Sequence, residues 1–358
     1  MEVQKRGMQV KKKESLRAVT IKDVAKKANV SITTVSRVLN NNDYFVSEQT
    51  KEHVLKVIEE LNYRPNALAR GLHSSSTKTI GLIIQDITNP YYPKIVEGVE
   101  NRAQSSGYSL ILANTQRNQE KISQYLKIMW EKRVDGLIMV GRSIIRDVED
   151  STFFRKSGMK VVAIGTPADE SIHSVQIDNV EAARQGCSHL IQLGHRRIAM
   201  ITGSGTSISA FERAKGYRLA LEEAGIPVRE EYIVKGGFTV EGGMAAVDLL
   251  EKQGFGGEDG ITAIFAQNDL MAIGALNALR DKKISVPDEV SILGFDNIQA
   301  ATFVTPALST VAVPMDELGE KAMDILEKLL KEEEVPMVQY LQTHIECRES
   351  LKQYTGQP

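Results

Sequence analysis

From residue 79 onward, short apolar runs alternate with longer stretches of helical periodicity, and this alternation restricts the fold more than any other feature. The runs are TIGLIIQDI, YSLILANT, VDGLIMVG, KVVAIGT, HRRIAMITG, EEYIVKGG, ITAIFAQ and EVSILGFD. Strands buried in parallel sheets have this continuous apolar character, because helices cover both faces of the sheet. The runs are too many for one comfortable sheet. The sequence therefore predicts a body of two doubly wound α/β lobes with a cleft between them.

Two late segments return to strand and helix character and are expected to complete lobes that begin earlier. LSTVAVP precedes the helical stretch DELGEKAMDILEKLLKEE, and MVQYLQTHIEC reads as a last strand. We expect the body to cover residues 78–350, followed by a tail at 351–358. The first lobe is predicted at about 78–177 plus 307–333, and the second at about 178–306 plus 334–350.

Ahead of the body, residues 20–42 (TIKDVAKKANVSITTVSRVLNNN) predict two short helices joined by a tight turn. The first helix has apolar residues at helical spacing, Asn29 interrupts the pattern, and Ser31 restarts it as an N-cap. The polar face of the second helix carries Ser31, Thr33, Thr34, Ser36, Arg37 and Asn40. Such side chains suit contacts to base edges and phosphates. The plainer alternative is a helical hairpin with a solvated face.

The charge distribution favours the nucleic-acid interpretation. The whole chain has a net charge of −2, which by itself argues against a polyanionic partner. However, residues 1–72 hold 14 of the 44 lysines and arginines but only 8 of the 46 acidic residues. A basic head on an acidic body is expected when only the head meets DNA.

The cysteines and the apolar runs of the sequence indicate the cellular compartment. Cys187 and Cys347 are far apart, lack metal-ligand spacing and are interpreted as packing residues in a reducing cytosol. The basic N-terminus lacks the apolar core of a signal peptide, and no apolar run reaches the roughly 20 residues of a membrane span. We therefore expect a cytoplasmic protein with no membrane partner.

The segments around the hairpin complete the predicted head. Residues 1–18 form a charged, aperiodic stretch interpreted as a flexible basic tail. A third helix is predicted from Ser47 through Leu61, so the head covers about residues 19–65. NALARGL follows as a short segment, and a serine run then gives a linker, so that residues 66–77 connect head and body.

Several motifs in combination resemble those of the lactose repressor/galactose repressor family of bacterial transcription regulators. They are TIKDVAKKANVS with TTVSRVLN, LNYRPNALARGL, GLIIQDITNPYY, LGHRRIAMITG, FERAKGY, AIFAQNDLMAIGAL, VSILGFDN and TPALSTVAVPMDELGEKA. The resemblance covers about residues 20–350. Within the family, the chain looks most like regulators of carbon catabolism in Gram-positive bacteria.

The resemblance implies a homodimer that binds a roughly palindromic double-stranded operator, with one helix-turn-helix per half-site. Base reading falls on Ile32, Thr33 and Arg37, with supporting contacts from Thr20, Ser31, Thr34 and Ser36. Arg37 is suited to guanine because its planar fork can form two hydrogen bonds. Ile32 departs from the residues common at its position, and either contacts a thymine methyl or packs. No leucine heptad follows Ser350, so a dimer is expected without a tetramerisation tail.

NALARGL matches the family's hinge helix, which implies that Leu72 wedges into a base step of the minor groove while Ala69 approaches the groove floor. Seven residues that include Gly71 cannot hold a helix alone in water, so the hinge is expected to be helical only when the dimer and DNA support it. The alternative is a plain interdomain linker.

The body resembles periplasmic sugar-binding proteins, and the resemblance implies an effector in its cleft. Asp269 in QND, Arg213 in FERAKG, the tyrosines of NPYY (Tyr91 and Tyr92) and Phe238 match ligand-contacting positions of the family. A carboxylate and an arginine among aromatic faces suit a sugar, and the arginine could also hold an acidic group. Gln267, Asn268 and Asp178 are further candidates at strand ends.

The predicted function is sequence-specific repression controlled by a sugar or sugar acid. Two alternatives stay open, namely control by a protein co-repressor and a plain solute-binding role, although the basic head argues against the second. An enzyme is not predicted, because the chain has no phosphate-binding glycine loop, no nucleophile elbow and no metal cluster in its sequence. No cofactor and no metal are predicted either.

Overall fold

A computed structural model describes residues 19–40, 46–64, 76–116, 118–141, 157–167, 169–205, 207–257 and 259–355. The chain divides into two compact units, one ending at Thr77 and the other beginning at Lys78. Within the described ranges, no helix has both the length and the apolarity to cross a membrane. Residues 1–18 and 66–75 lie outside these ranges, so the predicted tail, the hinge segment with Ala69 and Leu72, and most of the serine linker are not described.

The first unit contains three helices, α1 (Ile21–Ala28), α2 (Ile32–Asn40) and α3 (Glu48–Glu60). Their inner faces form one small core of mostly valine and alanine. Asn29 ends α1 in the left-handed conformation (φ 53°), which asparagine tolerates better than most residues and which produces the tight turn. The N-cap predicted at Ser31 is confirmed, since its hydroxyl accepts from the backbone N–H of Thr34, and the hydroxyl of Ser47 caps α3 in the same way.

The second unit contains two six-stranded sheets. The first has the order β11-β5-β4-β3-β1-β2 and is parallel throughout. Its strands are β1 (Thr79–Ile84), β2 (Ser109–Asn114), β3 (Gly136–Val140), β4 (Lys160–Ile164), β5 (His173–Ile177) and β11 (Val338–Leu341). The predicted α/β architecture is confirmed in this lobe.

The second sheet has the order β12-β10-β9-β8-β6-β7, and it is parallel except for the edge pair of β10 and β12. Its strands are β6 (Ile198–Thr202), β7 (Ile233–Lys235), β8 (Ala263–Ala266), β9 (Ser291–Asp296), β10 (Ser309–Ala312) and β12 (His344–Glu346). Strands β8, β9 and β10 are buried along their whole length, as the continuous apolar runs predict.

Helices connect these strands and cover the faces of the sheets. They are α4 (Tyr91–Ser105), α5 (Gln119–Glu131), α6 (Asn179–Gln192), α7 (Ile208–Glu223), α8 (Val240–Leu250), α9 (Asp269–Asp281) and α10 (Met315–Leu330). Single 3₁₀ turns occur at Glu230–Tyr232, Glu251–Gln253 and Gln299–Thr302.

The predicted division of the late segments between the lobes is wrong. Residues 307–333 do not belong together, because β10 pairs with β9 in the second sheet whereas α10 packs on α4 of the first lobe. The contact between α4 and α10 is close, since a Cβ on Gly98 would lie 2.1 Å from the carbonyl oxygen of Asp316. Nor does MVQYLQTHIEC form one strand of the second lobe, because it supplies β11 to the first sheet and β12 to the second.

Strand β5 is absent from the strands predicted above. Its sequence, HSVQI, is short and half polar, so it lacks the apolar run that identifies the other strands. It is nevertheless buried from Ser174 onward because it lies between β4 and β11.

Candidate functional site

A cavity of about 510 Å³ lies where the carboxyl ends of both sheets meet. Small-molecule sites in open α/β proteins are found at this edge, and they commonly measure roughly 300–1,000 Å³. The first lobe contributes side chains that follow β1, β3 and β4, together with the end of β5, and the second contributes residues after β6, β7, β8 and β9. Polar lining residues include Gln85, Asn89, Thr166, Gln176, Asn179, Ser204, Ser207, Ser209, Glu212, Arg213, Asn268 and Asp296.

Arg213 and Asp296 form a buried ion pair at the wall of this cavity. The guanidinium Nη1 lies 3.5 Å from Oδ1 of Asp296, and the two side chains are only 8% and 6% exposed. The guanidinium also lies over the Phe295 ring, with 3.6 Å between its carbon and the ring centroid. Its Nε donates to Oδ1 of Asn179 at 2.9 Å, and Nη1 donates to the carbonyl oxygen of Gln267. The position of the guanidinium is therefore fixed by two hydrogen bonds and by the aromatic ring.

Burial shifts the pKa of Asp296, the acidic residue of this pair. It raises the pKa of Asp296 to about 8, and the positive charge of Arg213 opposes that rise. Burial and the negative charge of Asp296 raise the pKa of the neighbouring Tyr91 phenol. The carboxyl group of Asp296 therefore changes its charge close to neutral pH, whereas that of an exposed aspartate does so at about pH 4.

The backbone at Asp296 is held in an unusual conformation. Asp296 and Asn297 have φ values of 116° and 65°, a region that side-chain-bearing residues seldom adopt. Three groups hold this turn: Arg348 donates to Oδ1 of Asn297 at 2.6 Å, and the Asn297 N–H donates to the Thr310 hydroxyl at 3.3 Å. Asp269 accepts from the next backbone N–H, that of Ile298, at 2.8 Å. Strain of this kind persists where the surroundings over-determine it, and here it directs a carboxylate into the cavity.

Asp269, which the resemblance predicts as a ligand contact, is not among the residues that line the cavity. It is fully buried at the first position of α9, and its second oxygen accepts from the Thr310 hydroxyl at 2.6 Å. Burial raises the pKa of Asp269 to about 7, and the two hydrogen bonds limit the rise. Asp269 supports the turn that carries Asp296 instead of reaching a ligand.

Asp296 is the acidic residue that sequence reasoning missed. A usable signal exists in the sequence, because VSILGFDN places Asp296 at the carboxyl end of a buried strand. The same criterion selected Asp269 after ITAIFAQ. The two side chains lie in different places. Asp269 is the first residue of α9, after the N-cap residue Asn268, and is buried, whereas Asp296 lines the cavity.

The three predicted aromatic residues all line the cavity. Tyr91 and Tyr92 meet edge to face with 5.3 Å between ring centroids, and the Tyr92 hydroxyl donates to Gln85. Phe238 adopts a positive φ of 67°, and its ring covers Gly203 so closely that a Cβ there would lie 2.0 Å from it. Gly203 is therefore required for the position of the Phe238 ring.

Polar contacts cross the cavity from one lobe to the other. The Thr166 hydroxyl, after β4 of the first lobe, lies 3.3 Å from Oε1 of Glu212 in α7 of the second. It also lies 3.1 Å from Oε1 of Gln176, so its single proton has two acceptors. Oε2 of Glu212 accepts from Asn179 at 3.0 Å, which links this crossing to the Arg213 side chain. Of the further candidates, Asn268 lines the cavity, whereas Gln267 is buried behind it and Asp178 caps α6.

In the first unit, α2 presents the polar face that the sequence predicts. Ser31, Ile32 and Thr33 are exposed, and Thr20, Thr34, Ser36 and Arg37 are half-buried. Ile32 is 45% exposed, so it does not pack into the helical core. The side chain of Asn40 lies outside the described structure, as do Ala69 and Leu72.

Family models match both units. Residues 20–66 match the model of bacterial regulatory proteins of the lacI family, and residues 187–351 match that of a periplasmic binding protein-like domain. Catabolite control protein A of Priestia megaterium is 40% identical over 338 residues, which cover 93% of this chain and 99% of that protein. The HTH-type transcriptional repressor PurR of Photobacterium profundum is 38% identical, with 87% of this chain and 92% of that protein covered.

Solved structures agree with these relatives. The lac repressor dimer bound to operator and the anti-inducer ONPF has a TM-score of 0.84 at 27% identity, covering 94% of this chain and all of that one. A complex of the transcriptional regulator CelR with cellobiose has a TM-score of 0.69 at 32% identity, covering 93% and 99%. These similar proteins are regulators of transcription and not enzymes.

The supporting role of Asp269 can be tested by replacing its carboxylate with an amide. Asp269→Asn replaces an accepting oxygen with a donating nitrogen, which then faces either the Ile298 N–H or the Thr310 hydroxyl. Loss of one buried hydrogen bond should lower the free energy of unfolding by about 1–3 kcal/mol, as measured by urea denaturation at about pH 8. Asp281→Asn, at the exposed end of the same helix, is the matched control and should change it by less than about 0.5 kcal/mol. Equal effects of the two variants would contradict the assignment.

Proposed function

This chain belongs to the lacI family of bacterial regulatory proteins, and we propose that it is a repressor whose affinity for operator DNA is set by a small molecule in the cavity of its body. It is a DNA-binding regulator of transcription with an effector-binding domain. The observation that carries the proposal is the buried Arg213–Asp296 pair, which lines a cavity to which both lobes contribute. We further propose that it acts in the cytoplasm, where the DNA is found.

The DNA-reading surface of the proposal is the polar face of α2. Arg37 is assigned to guanine, whose two major-groove acceptors match a planar guanidinium. Ile32 is assigned to a thymine methyl, and its exposure supports this assignment over packing. Thr33 accompanies them, with Thr20, Ser31, Thr34, Ser36 and Asn40 on phosphates or in support. Ala69 and Leu72 keep their assignment to the minor groove.

We also propose that the protein acts as a homodimer. Phe303 supports this proposal. It directly follows the 3₁₀ helix Gln299–Thr302, and it is 73% exposed. A large exposed aromatic side chain on a regulator body is the kind of residue that anchors an interface. A dimer would place two copies of α2 on two half-sites, and the operator would be roughly palindromic.

Regulation follows from the way the effector would bridge the two lobes. Thr166 and Tyr91 come from the first lobe, and Arg213, Asp296 and Phe238 from the second. A ligand in contact with both sets favours one angle between the lobes. It can shift the DNA-binding equilibrium only by its difference in affinity for the two angles. We propose that the effector releases DNA.

The regulatory model is tested with the natural operator, recovered by selection from random duplex DNA. Fluorescence anisotropy of the labelled operator should show weaker binding when a ligand of the cavity is present, with a coupling of about 5–150-fold. Arg213→Ala should bind operator normally but lose the response. A ligand that occupies the cavity without any change in operator affinity would contradict the model.

The assignment of Arg37 predicts a loss of specificity. Arg37→Ala should weaken operator binding by about 1–3 kcal/mol and relax preference at one base pair per half-site. Arg37→Lys keeps the charge but lacks the planar fork, so it should retain the salt dependence and still lose the base preference. Unchanged base preference in both variants would rule out guanine recognition by Arg37.

The raised pKa of Asp296 predicts proton release on effector binding. Hydroxyl groups that donate to this carboxylate favour its ionised form, so binding lowers the pKa from about 8. Effector affinity should therefore rise as the pH increases toward about 8, by up to about tenfold per unit, and level off above it. Calorimetry in buffers of different ionisation enthalpy counts the released protons.

Asp296→Asn is the control for this prediction. Arg213, Asp269 and Tyr91 are the other titratable or charged groups that face Asp296. The variant should bind effector without releasing a proton. If proton release were unchanged in the variant, Asp269 would be its source and the assignment to Asp296 would be wrong.

A further inference from the structure

We propose that Ile32 makes operator binding sensitive to the C5 methyl group of one pyrimidine in each half-site, so that methylation of a cytosine at that position strengthens binding. The inference rests on the proposed function, because it takes α2 to be the helix that enters the major groove. It goes further than the assignment of Ile32 to thymine, because it adds a covalently modified base, 5-methylcytosine, to the DNA that this helix recognises.

Ile32 is an aliphatic residue that the core of the first unit does not use. Val35 and Val38, on the same helix, are buried in that core. Ile32 is 45% exposed, and it belongs neither to the core nor to the partly buried residues that pack against it. Its apolar surface is therefore available to a partner of the domain.

The local structure holds Ile32 at the amino end of the helix. It is the first residue of α2 and follows Ser31, whose hydroxyl accepts from the backbone N–H of Thr34 at 3.0 Å and lies 2.8 Å from the Thr34 hydroxyl. These bonds fix the backbone on both sides of Ile32, and its β-branched side chain has few rotamers in a helix. Residues at the amino end of a recognition helix are the ones that meet base edges.

The major groove offers an aliphatic side chain a single kind of apolar group. Every base edge there presents hydrogen-bond donors or acceptors, and among the four bases thymine alone adds a methyl group at C5. A hydrocarbon that covers a donor or acceptor removes its water without replacing the hydrogen bond, which costs free energy. Ile32 therefore favours a base with a C5 methyl group and disfavours an unmethylated cytosine in its place.

5-Methylcytosine carries the same methyl group at the same ring position, although it pairs with guanine. The contact with Ile32 depends on the methyl group and not on the base that carries it. Burial of one methyl group changes an equilibrium constant about fourfold, so the two half-sites of a dimer together give about 15-fold. The covalent state of one cytosine thus controls operator affinity at the head of the chain, separately from a ligand of the body.

The first test removes the methyl group from thymine. The full chain is titrated with the operator recovered by selection from random duplex DNA, and each thymine of the half-site is replaced in turn, in both half-sites, by uracil. Fluorescence anisotropy compares affinities at one ionic strength of roughly 0.15 M, because phosphate contacts depend on salt. At the position read by Ile32, we expect uracil to weaken binding about 15-fold.

Two variants show whether Ile32 reads this methyl group. Ile32→Ser removes the aliphatic side chain, so the thymine and uracil duplexes should bind it equally. Leu55→Ser is the matched control, because Leu55 is also 45% exposed but lies on α3, and it should keep the full difference. Circular dichroism reports whether both variants are folded, and the comparison with the wild-type chain needs no variant.

The second test adds the methyl group to cytosine. The same position is occupied by cytosine or by 5-methylcytosine, each paired with guanine, so that the two duplexes differ by the methyl group alone. The wild-type chain should bind the methylated duplex about 15-fold more tightly, whereas Ile32→Ser should bind the two equally. The dependence of affinity on salt should be the same for both duplexes, because the phosphate contacts do not change.

The outcomes are distinct. If no uracil replacement weakened wild-type binding, or if the loss was the same in folded Ile32→Ser, the proposal would be overturned while sequence-specific binding stood. Equal affinity of the wild-type chain for the cytosine and 5-methylcytosine duplexes would also overturn it. If selection enriched no sequence at all, the proposed function itself would fail.

Discussion

The Arg213–Asp296 ion pair of the second lobe is buried at the wall of the cavity, and most features of the cavity depend on how it is held there. Burying two charges costs several kcal/mol per ion before their attraction is counted, so such a pair needs support from neighbours. The support comes from two sets of residues. Asn179 and Phe295 fix the guanidinium, and Asp269, Thr310 and Arg348 fix the strained turn at Asp296. The site is therefore preorganised before a ligand arrives, which lowers the entropy cost of binding.

The same arrangement connects ligand chemistry to the movement of the lobes. The chain crosses between the lobes after β5, between β10 and α10, and between β11 and β12, so residues of the late segments belong to both lobes. Arg348 lies two residues after β12, the strand that follows the last of these crossings, and it donates to the side chain of Asn297 in the turn at Asp296. The turn that carries Asp296 is therefore joined by one hydrogen bond to the segment that follows this crossing. This gives the proposed effector response a physical route that does not require a long chain of contacts.

Much of this architecture could be predicted from the sequence because burial leaves a strong pattern. Runs such as ITAIFAQ identify strands covered on both faces, and Ser31 and Ser47 mark helix starts through local hydrogen bonds. What failed depends on long-range contacts. LSTVAVP and the helix after it look like one unit, but β10 bonds to β9 while α10 needs the close approach at Gly98. Asp269 and Asp296 both follow apolar strands, and only the tertiary fold decides that the first turns inward and the second faces the cavity.

The most direct test of the central claim is a crystal structure of the full chain grown with a sugar that alters operator binding. The account predicts density for the sugar in the cavity, with hydroxyl groups within hydrogen-bond distance of the Asp296 carboxylate and of Arg213 Nη2. Asp269 should keep its bonds to Thr310 and Ile298 and make no contact with the ligand. Density outside the cavity, or a ligand that contacts Asp269 instead of Asp296, would contradict the account.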